Sequence, residues 1–235
     1  MKKLLFAVLS FAVVSASAQT VDEVIQKYTA NMGGLEAFNK TTSAKMTGTV
    51  TAQGMDFSAT TQILNGKGMR TDVEVMDKTI VNVYGYGKAW KINPYDGAET
   101  ATEITGAEAL AFKAQSNLAN NLMDYKNRGH KVELAGQETV EGTKAFKIKL
   151  TNKDDSKDTY YFINMADYSL LKTITKRTMA GQEMDVESSY SNFKEFNGIK
   201  FAMNITQSAG GNVFQQIAWS NIEVNVPVDE TIFKM

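Results

Sequence analysis

The stretch AKMTGTVTAQGMDFSATTQILNGKGMRTDVEVMDKTIVNVYGYGKAWKIN, residues 44–93, decides the fold class of this chain. Within it, short segments of alternating apolar and polar residues are separated by turn residues such as Asn, Asp and Gly. Alternation with a period of two is typical of β-strands that have one apolar and one solvated face. Because no helical crossover separates the segments, they predict an antiparallel meander. The predicted strands are 44–53, 55–64, 69–76, 79–86 and 88–93.

The C-terminal half of the chain shows the same pattern. Phe146, Ile148 and Leu150, for example, alternate with lysines. The strands predicted in this half bring the total to about eleven or twelve, and no linker or repeat divides them. They are 131–134, 144–150, 159–163, 170–177, 183–193, 199–207 and 213–224.

The last predicted strand changes its apolar phase. Its apolar positions run through Ile217 and Trp219 and then slip to Ile222 and Val224, which predicts a β-bulge near residues 220–221. Bent strands with one apolar face wrap around a core. The predicted fold class is therefore mainly β, a curved antiparallel half-barrel or barrel. Its concave face must be filled by inserted helices, by side chains or by a ligand.

Two capping boxes predict helices. Thr20 and Glu23 form the first, ahead of an amphipathic segment that stops at a glycine pair. Thr105 and Glu108 form the second. We therefore expect an N-terminal helix and, between the two groups of strands, one or two inserted helices. The inserted helices would carry an apolar stripe made of Leu110, Ala114, Leu118 and Leu122.

Residues 1–18 are predicted to be a signal peptide that is cleaved before Gln19. A basic start is followed by the apolar run 4–14 and by small residues that end at Ala18. The eleven residues 4–14, apolar except for Ser10, reach only about 16 Å as a helix, whereas a bilayer core is ~30 Å thick. We therefore expect export without a permanent membrane anchor. Residues 19–235 are expected to form a single domain.

Composition and residue types exclude most kinds of chemistry. The 25 basic and 26 acidic residues leave a net charge of −1, which argues against a nucleic-acid partner. There is no cysteine and a single histidine, His130, so thiol chemistry and ordinary zinc sites are excluded. No nucleotide fingerprint or nucleophile elbow occurs. The sequence predicts no metal, no cofactor and no catalysis; a hydrolase that uses surface carboxylates stays as an alternative.

Several short motifs, taken in their order along the chain, resemble the LolA-like superfamily of outer-membrane lipoprotein-sorting carriers. The resemblance implies a LolA/LolB-like half-barrel of about eleven strands, a helical lid, and a periplasmic location. It also implies an apolar cavity that shields acyl chains, without catalysis. The segment 105–124 is the expected lid. At a turn where many members carry Arg-Pro, this chain has Asn65–Gly66. The motifs are NMGGLE at 31–36, AKMTG at 44–48, MR at 69–70, AWKINP at 89–94, GHKVELAG at 129–136 and YYFI at 160–163.

The function predicted on this basis is that of a periplasmic binding protein for the acyl chains of lipoproteins or for other amphiphiles. An envelope protein that donates or accepts the cargo is an expected partner. The alternative is an interaction module of the same fold that senses envelope stress or docks on an envelope partner. An exposed apolar patch, in place of a deep cavity, would be typical of such a module.

Alternation within each strand gives the candidate ligand-binding residues. If the inward phase of a strand is wrong, its whole set moves to the other face. Arg70 is the candidate for contact with a polar head group, and the alternative is a surface ion pair with Asp72 or Glu74. The candidates are Met69, Arg70, Val73, Val75, Trp90, Leu110, Leu118, Leu122, Phe146, Ile148, Phe162, Phe201, Met203, Ile205 and Trp219.

Overall fold

The computed structural model describes residues 19–179 and 181–234, so the predicted signal peptide lies outside the described residues. None of the helices described here is long and apolar enough to cross a membrane. The helices are α1 Val21–Asn31, α2 Leu35–Lys40, α3 Gly106–Gln115 and α4 Tyr125–Arg128. The strands are β1 Ser43–Ala52, β2 Met55–Leu64, β3 Gly68–Val75, β4 Lys78–Gly85, β5 Lys88–Asn93, β6 Ala98–Ile104, β7 Lys131–Val140, β8 Thr143–Thr151, β9 Asp158–Asn164, β10 Leu170–Met179, β11 Gln182–Phe196, β12 Ile199–Ala209 and β13 Asn212–Val224.

These strands form one 13-stranded sheet in the order β6-β5-β4-β3-β2-β1-β13-β12-β11-β10-β9-β8-β7. The mainly β, curved antiparallel fold is confirmed, and the sheet is open, with β6 and β7 as its edges. The prediction of eleven or twelve strands was too low because it missed β6. Six of the seven β6 residues are at least partly exposed, so this strand carries no apolar alternation.

Two meanders meet at the pair β1–β13, which is the only contact between strands far apart in sequence in the described sheet order. The predicted bulge is confirmed there: Thr47 pairs with Asn221 and Gly48 with Trp219, so Ser220 is the extra residue. The Ser220 hydroxyl donates to the Thr47 carbonyl at 3.0 Å. A Cβ on Gly48 would lie 2.2 Å from the Ala218 carbonyl oxygen, so the close approach of these strands requires glycine.

Helix α1 closes one end of the concave face. Its predicted capping box is confirmed, since the Glu23 amide donates to Thr20 Oγ1 and the Thr20 amide donates to Glu23 Oε2. Its buried face presents Val24, Ile25 and Tyr28 to the inner residues of β8 and β9. This helix therefore contributes to the main hydrophobic core.

The segment 105–124, the expected lid, contains one helix and an irregular part. Helix α3 begins after Thr105 as expected, but the Thr105 side chain makes no capping hydrogen bond and the helix ends at Gln115. Leu118 and Leu122 lie beyond it, in the irregular segment 116–124, and Leu122 is fully buried in the core. Helix α3 has no buried residue of its own. The segment therefore consists of a surface helix followed by a core-forming loop.

Asn65 joins three elements at the turn between β2 and β3. Its Nδ2 donates to the carbonyls of Phe38 and Thr41 at 2.9 and 2.8 Å, and its Oδ1 accepts from the Leu118 amide at 3.0 Å. Asn65 thus fastens α2 to segment 116–124.

The C-terminal segment 226–233 covers part of the convex face. Phe233, 2% exposed, lies against Val81 and Val83. A Cβ on Gly68 or Gly85 would lie within 2.7 Å of Phe233 atoms. Because these two strand positions have no side chain, the Phe233 ring can pack directly on the sheet.

Candidate functional site

A cavity of about 550 Å³ lies on the concave face, between the sheet and the elements α1, α3 and 116–124. One end is apolar and lies next to α1 and α2, where Phe38, Met46 and Trp219 line the wall. Helix α3 contributes Phe112 from above the sheet. This volume falls within the ~300–1,000 Å³ typical of small-molecule sites.

The opposite end of the cavity is polar. Thr173, Ser188, Gln207 and Gln215 stand opposite one another on the adjacent strands β10 to β13. Gln207 Nε2 donates to Ser188 Oγ at 3.2 Å. Gln215 pairs with Ala52, the last residue of β1, so this polar row lies near the rim formed by the hairpin turns. The cavity thus changes from apolar to polar along the strands.

Two tyrosines line the cavity with polar partners. The Tyr28 hydroxyl accepts from Asn120 Nδ2 at 2.6 Å, and the Tyr190 hydroxyl shares a hydrogen bond with Thr173 Oγ1 at 3.2 Å. Burial raises the pKa of both phenols above the ordinary value. Both hydroxyls therefore keep their protons at neutral pH.

Charge in the cavity has one sign. In the described part of the chain, its lining includes Arg177 and Lys200 but no Asp or Glu. Lys200 Nζ donates to Asn31 Oδ1 at 2.9 Å, at the C-terminal end of α1. Burial lowers the pKa of Arg177 below its ordinary value.

The structure brings six of the sequence candidates to the cavity wall and places four more in the core next to it. The six are Met69, Val73, Leu118, Phe201, Ile205 and Trp219. The four are Leu122, Phe146, Ile148 and Met203. Whether any of them binds a ligand stays a prediction.

The other candidates do not line the cavity. Arg70 points to the convex side, where its Nε lies 2.9 Å from both Asp72 carboxylate oxygens, so it forms the ion pair that was the alternative. Trp90 packs on the convex face with the Phe233 cluster. Phe162 lies on that face beneath Lys147 and Lys172, whose ammonium groups are 5.4 and 4.9 Å from its ring centre. Val75 and Leu110 are half-buried outside the lining.

Sequence reasoning missed most of the polar wall and the whole helical end of the cavity. Tyr28 lies in α1, Met32 directly follows α1, and Phe38 lies in α2; their apolar spacing signalled only that a helix face is buried. Thr173, Thr175 and Arg177 alternate along β10 on its inner face. The alternation of these polar residues is visible in the sequence, but a search for apolar side chains does not detect it.

Three side chains that a hydrolase could use in acid–base chemistry, Asp22, His130 and Asp154, lie outside the cavity lining. Asp22 accepts hydrogen bonds from Tyr125 and from Lys126, the latter at 2.7 Å, and these bonds lower its pKa. Asp154 pairs with Lys113 of α3 at 3.2 Å. His130 Nδ1 accepts from the Lys153 amide at 3.2 Å. Among the residues described, no group of three or more His, Asp or Glu side chains is placed to hold a metal ion.

His130 should titrate below its ordinary pKa of about 6.5. Partial burial, followed by the charge of Arg128, lowers the pKa of this imidazole. Because the pKa of His130 is lower in the folded chain than in the unfolded chain, protonation of the imidazole destabilises the fold. The stability that is present above about pH 6.5 is therefore lost as the pH falls through the folded pKa. Because the chain has one histidine, the Cε1–H proton signal can be followed by NMR without ambiguity. A folded midpoint at or above that of the urea-unfolded chain would contradict this expectation.

Comparison with solved structures establishes the fold. A LolA superfamily protein from Nitrosomonas europaea matches 93% of this chain and 99% of its own, with a TM-score of 0.62 and 13% identity. A DUF1329 family protein from Desulfovibrio piger matches 92% of this chain and 98% of its own, with a TM-score of 0.62 and 13% identity. A domain from Vibrio parahaemolyticus, assigned to an outer membrane lipoprotein-sorting protein, matches 92% of this chain and 96% of its own. Its TM-score is 0.61 and its identity is 12%. The chain matches no protein-family model and no curated protein sequence. It has a LolA-like fold, which confirms the resemblance that its motifs predicted.

Proposed function

We propose that the chain is a periplasmic, non-catalytic binding protein that shields the acyl chains of lipoproteins or of another amphiphile. The observation that carries this proposal is the cavity with an apolar end, held on the concave face of a LolA-like sheet. The Vibrio domain is named for lipoprotein sorting, and the proposal gives this chain a cargo of the same class.

The physical basis is the cost of exposing acyl chains to water. Each buried CH₂ group contributes ~0.8 kcal/mol, so a cavity lined by Met, Phe and Trp side chains favours an acyl chain over water. Release requires a part of the wall that can move. Helix α3 has no buried residue, and Lys113 ties it to Asp154 by an exposed ion pair of the kind that contributes little. We therefore assign the lid role to α3 alone.

The proposal is tested by native mass spectrometry of the protein purified from periplasm without detergent. We expect a stoichiometric adduct that extracts into organic solvent as a lipid or lipopeptide. A bare mass that persists after incubation with acylated peptides and with phospholipid vesicles would overturn the proposal.

Phe112→Ala tests the lid role of α3. The Phe112 ring lines the cavity and packs on the Met46 cluster, so its loss should speed the release of a bound fatty-acyl probe. We expect an increase of roughly five- to thirtyfold, corresponding to about 1–2 kcal/mol of lost apolar contact. Stopped-flow fluorescence measures the rate. Glu108→Ala is the control: it lies on the same helix outside the cavity lining and removes only a loose, exposed ion pair with Lys91 at 3.9 Å. Equal release rates for both variants would contradict the lid role.

One observation favours the second candidate, an interaction module. Of the large apolar side chains that are exposed in the described residues, four lie at hairpin turns on one rim of the sheet. Met76 is 81% exposed there. Such a patch beside the cavity could contact an envelope protein or a lipid surface. The four are Met55, Met76, Tyr95 and Val213. A bare mass in the experiment above would favour this candidate.

A further inference from the structure

The three arginines of the chain differ in how their charge is compensated. Arg70 is paired with Asp72 through both carboxylate oxygens. Arg128 contacts Asp124 and donates to the Asn121 side chain at 2.7 Å. Arg177 lines the cavity, and within residues 19–179 and 181–234 no carboxylate contributes to the environment of its guanidinium. One cation therefore faces the interior of the cavity without an acidic partner there.

Arg177 is exposed to solvent near the end of β10, so water compensates its charge when the cavity is empty. The surrounding protein atoms nevertheless lower the pKa of Arg177 by desolvation. A guanidinium in this position can donate several hydrogen bonds to a carboxylate or a phosphate that enters the cavity.

Neutral hydrogen-bonding groups extend from Arg177 along the cavity wall. Thr175 and Thr173 precede it on the inner face of β10. Ser188 and Gln207 stand opposite Thr173 on the next two strands, four residues from Arg177 along β10. Tyr190 lines the same cavity, shares a hydrogen bond with Thr173 and keeps its phenolic proton. Hydroxyl and amide groups of this kind can donate to the remaining oxygens of an anionic group.

We propose that Arg177, together with Thr175 and the polar row that begins at Thr173, forms a subsite for the anionic head group of the bound amphiphile, a carboxylate or a phosphate monoester. The acyl chain would then run from the hairpin rim toward Trp219 and Phe38 at the apolar end. Lys200 lies at that far end and is held by Asn31, so it does not compete for the head group. This inference rests on the proposed function, since it assumes an amphiphile in the cavity.

The test compares charged and neutral probes of the same chain length. The fluorescent fatty acid cis-parinaric acid and its methyl ester are titrated into the protein at pH 8, where the acid is ionised. Lysophosphatidic acid and monooleoylglycerol then compete with the bound methyl ester, which separates a phosphate head from a neutral one. The variant is Arg177→Gln. The control is Lys176→Gln, which removes the same charge from the neighbouring, exposed residue that pairs loosely with Asp185 at 3.4 Å.

We expect Arg177→Gln to weaken binding of an anionic probe by about tenfold or more while leaving the methyl ester unchanged. Lys176→Gln should change neither. A loss for the fatty acid alone would identify a carboxylate head, and a loss for lysophosphatidic acid alone a phosphate head. Equal binding of charged and neutral probes by the wild type and Arg177→Gln would overturn the subsite and leave the proposed function intact. Failure of every probe to bind the wild type would overturn the proposed function itself.

Discussion

Ile217→Glu is expected to reduce the affinity for an uncharged acyl probe by roughly 100-fold or more. Ile217 lies on the inner face of β13, opposite Ile205 and Val50, and lines the cavity. Without a ligand, the new carboxylate can contact water through the cavity. A bound acyl chain would remove that water, and an unpaired polar or charged group then costs several kcal/mol. Titration with the methyl ester of cis-parinaric acid measures the change without a charge on the probe.

Ala218→Glu is the matched control for this experiment. Ala218 is the next residue on the same strand, is exposed and faces the convex side. The Ala218→Glu substitution adds the same charge and the same side chain as Ile217→Glu, so any effect of net charge or strand propensity appears in both variants. If the two variants bind the probe equally well, the acyl chain does not occupy the concave cavity.

Phe233→Ala is expected to lower the free energy of unfolding by about 3–5 kcal/mol, the range for removing a fully buried phenylalanine. The ring packs on Val81 and Val83 and covers the sheet where Gly68 and Gly85 have no side chains. Urea denaturation followed by circular dichroism measures the loss. Tyr86→Ala removes an exposed aromatic ring near the same segment and should change the free energy of unfolding by no more than about 1 kcal/mol.

Gly68→Ala provides a stricter test of this packing. The added Cβ would lie 2.7 Å from Cγ of Phe233, so the single variant should lose stability in the wild-type background. In the Phe233→Ala background the same methyl group occupies free space. The double-mutant cycle should therefore show a favourable coupling between the two substitutions. Additive effects would mean that Phe233 does not rest on Gly68 in solution.

The sheet could be predicted from the sequence because its apolar alternation is regular. In β12, Phe201, Met203 and Ile205 alternate with polar or small residues. All three face the concave side of the sheet, as their alternation predicted. The bulge at Ser220 was visible as a slip in the same pattern. Local information of this kind determines which residues of a strand share a face.

The wrong placements have two physical causes. In β9, Tyr160, Tyr161, Phe162 and Ile163 are all apolar or amphipathic, so alternation contains no information on which face is inner. Trp90 belongs to a strand whose outer face is covered by residues 226–233, and that contact joins parts of the chain far apart in sequence. Only the folded structure shows that the convex face of β3 to β5 is also a buried surface.

The polar part of the candidate site was beyond the reach of an apolar search. Arg177 lies in the run Lys176-Arg177-Thr178, which has the composition of an exposed strand end. Its place in the candidate site depends on the polar residues that line the same cavity, such as Thr175 and Tyr190, and on the absence of carboxylates in the described lining. Both are properties of the assembled sheet.

The seam between β1 and β13 has a consequence for how the chain folds. Each meander can form from consecutive hairpins, whereas the seam pairs Ala44 with Val224 and so must close a loop that contains most of the chain. Closing such a loop is slow compared with hairpin formation. We therefore expect pairing of the seam to limit the folding rate. Substitutions at Gly48 or Ser220 would slow folding, whereas those in the outer hairpins would mainly speed unfolding.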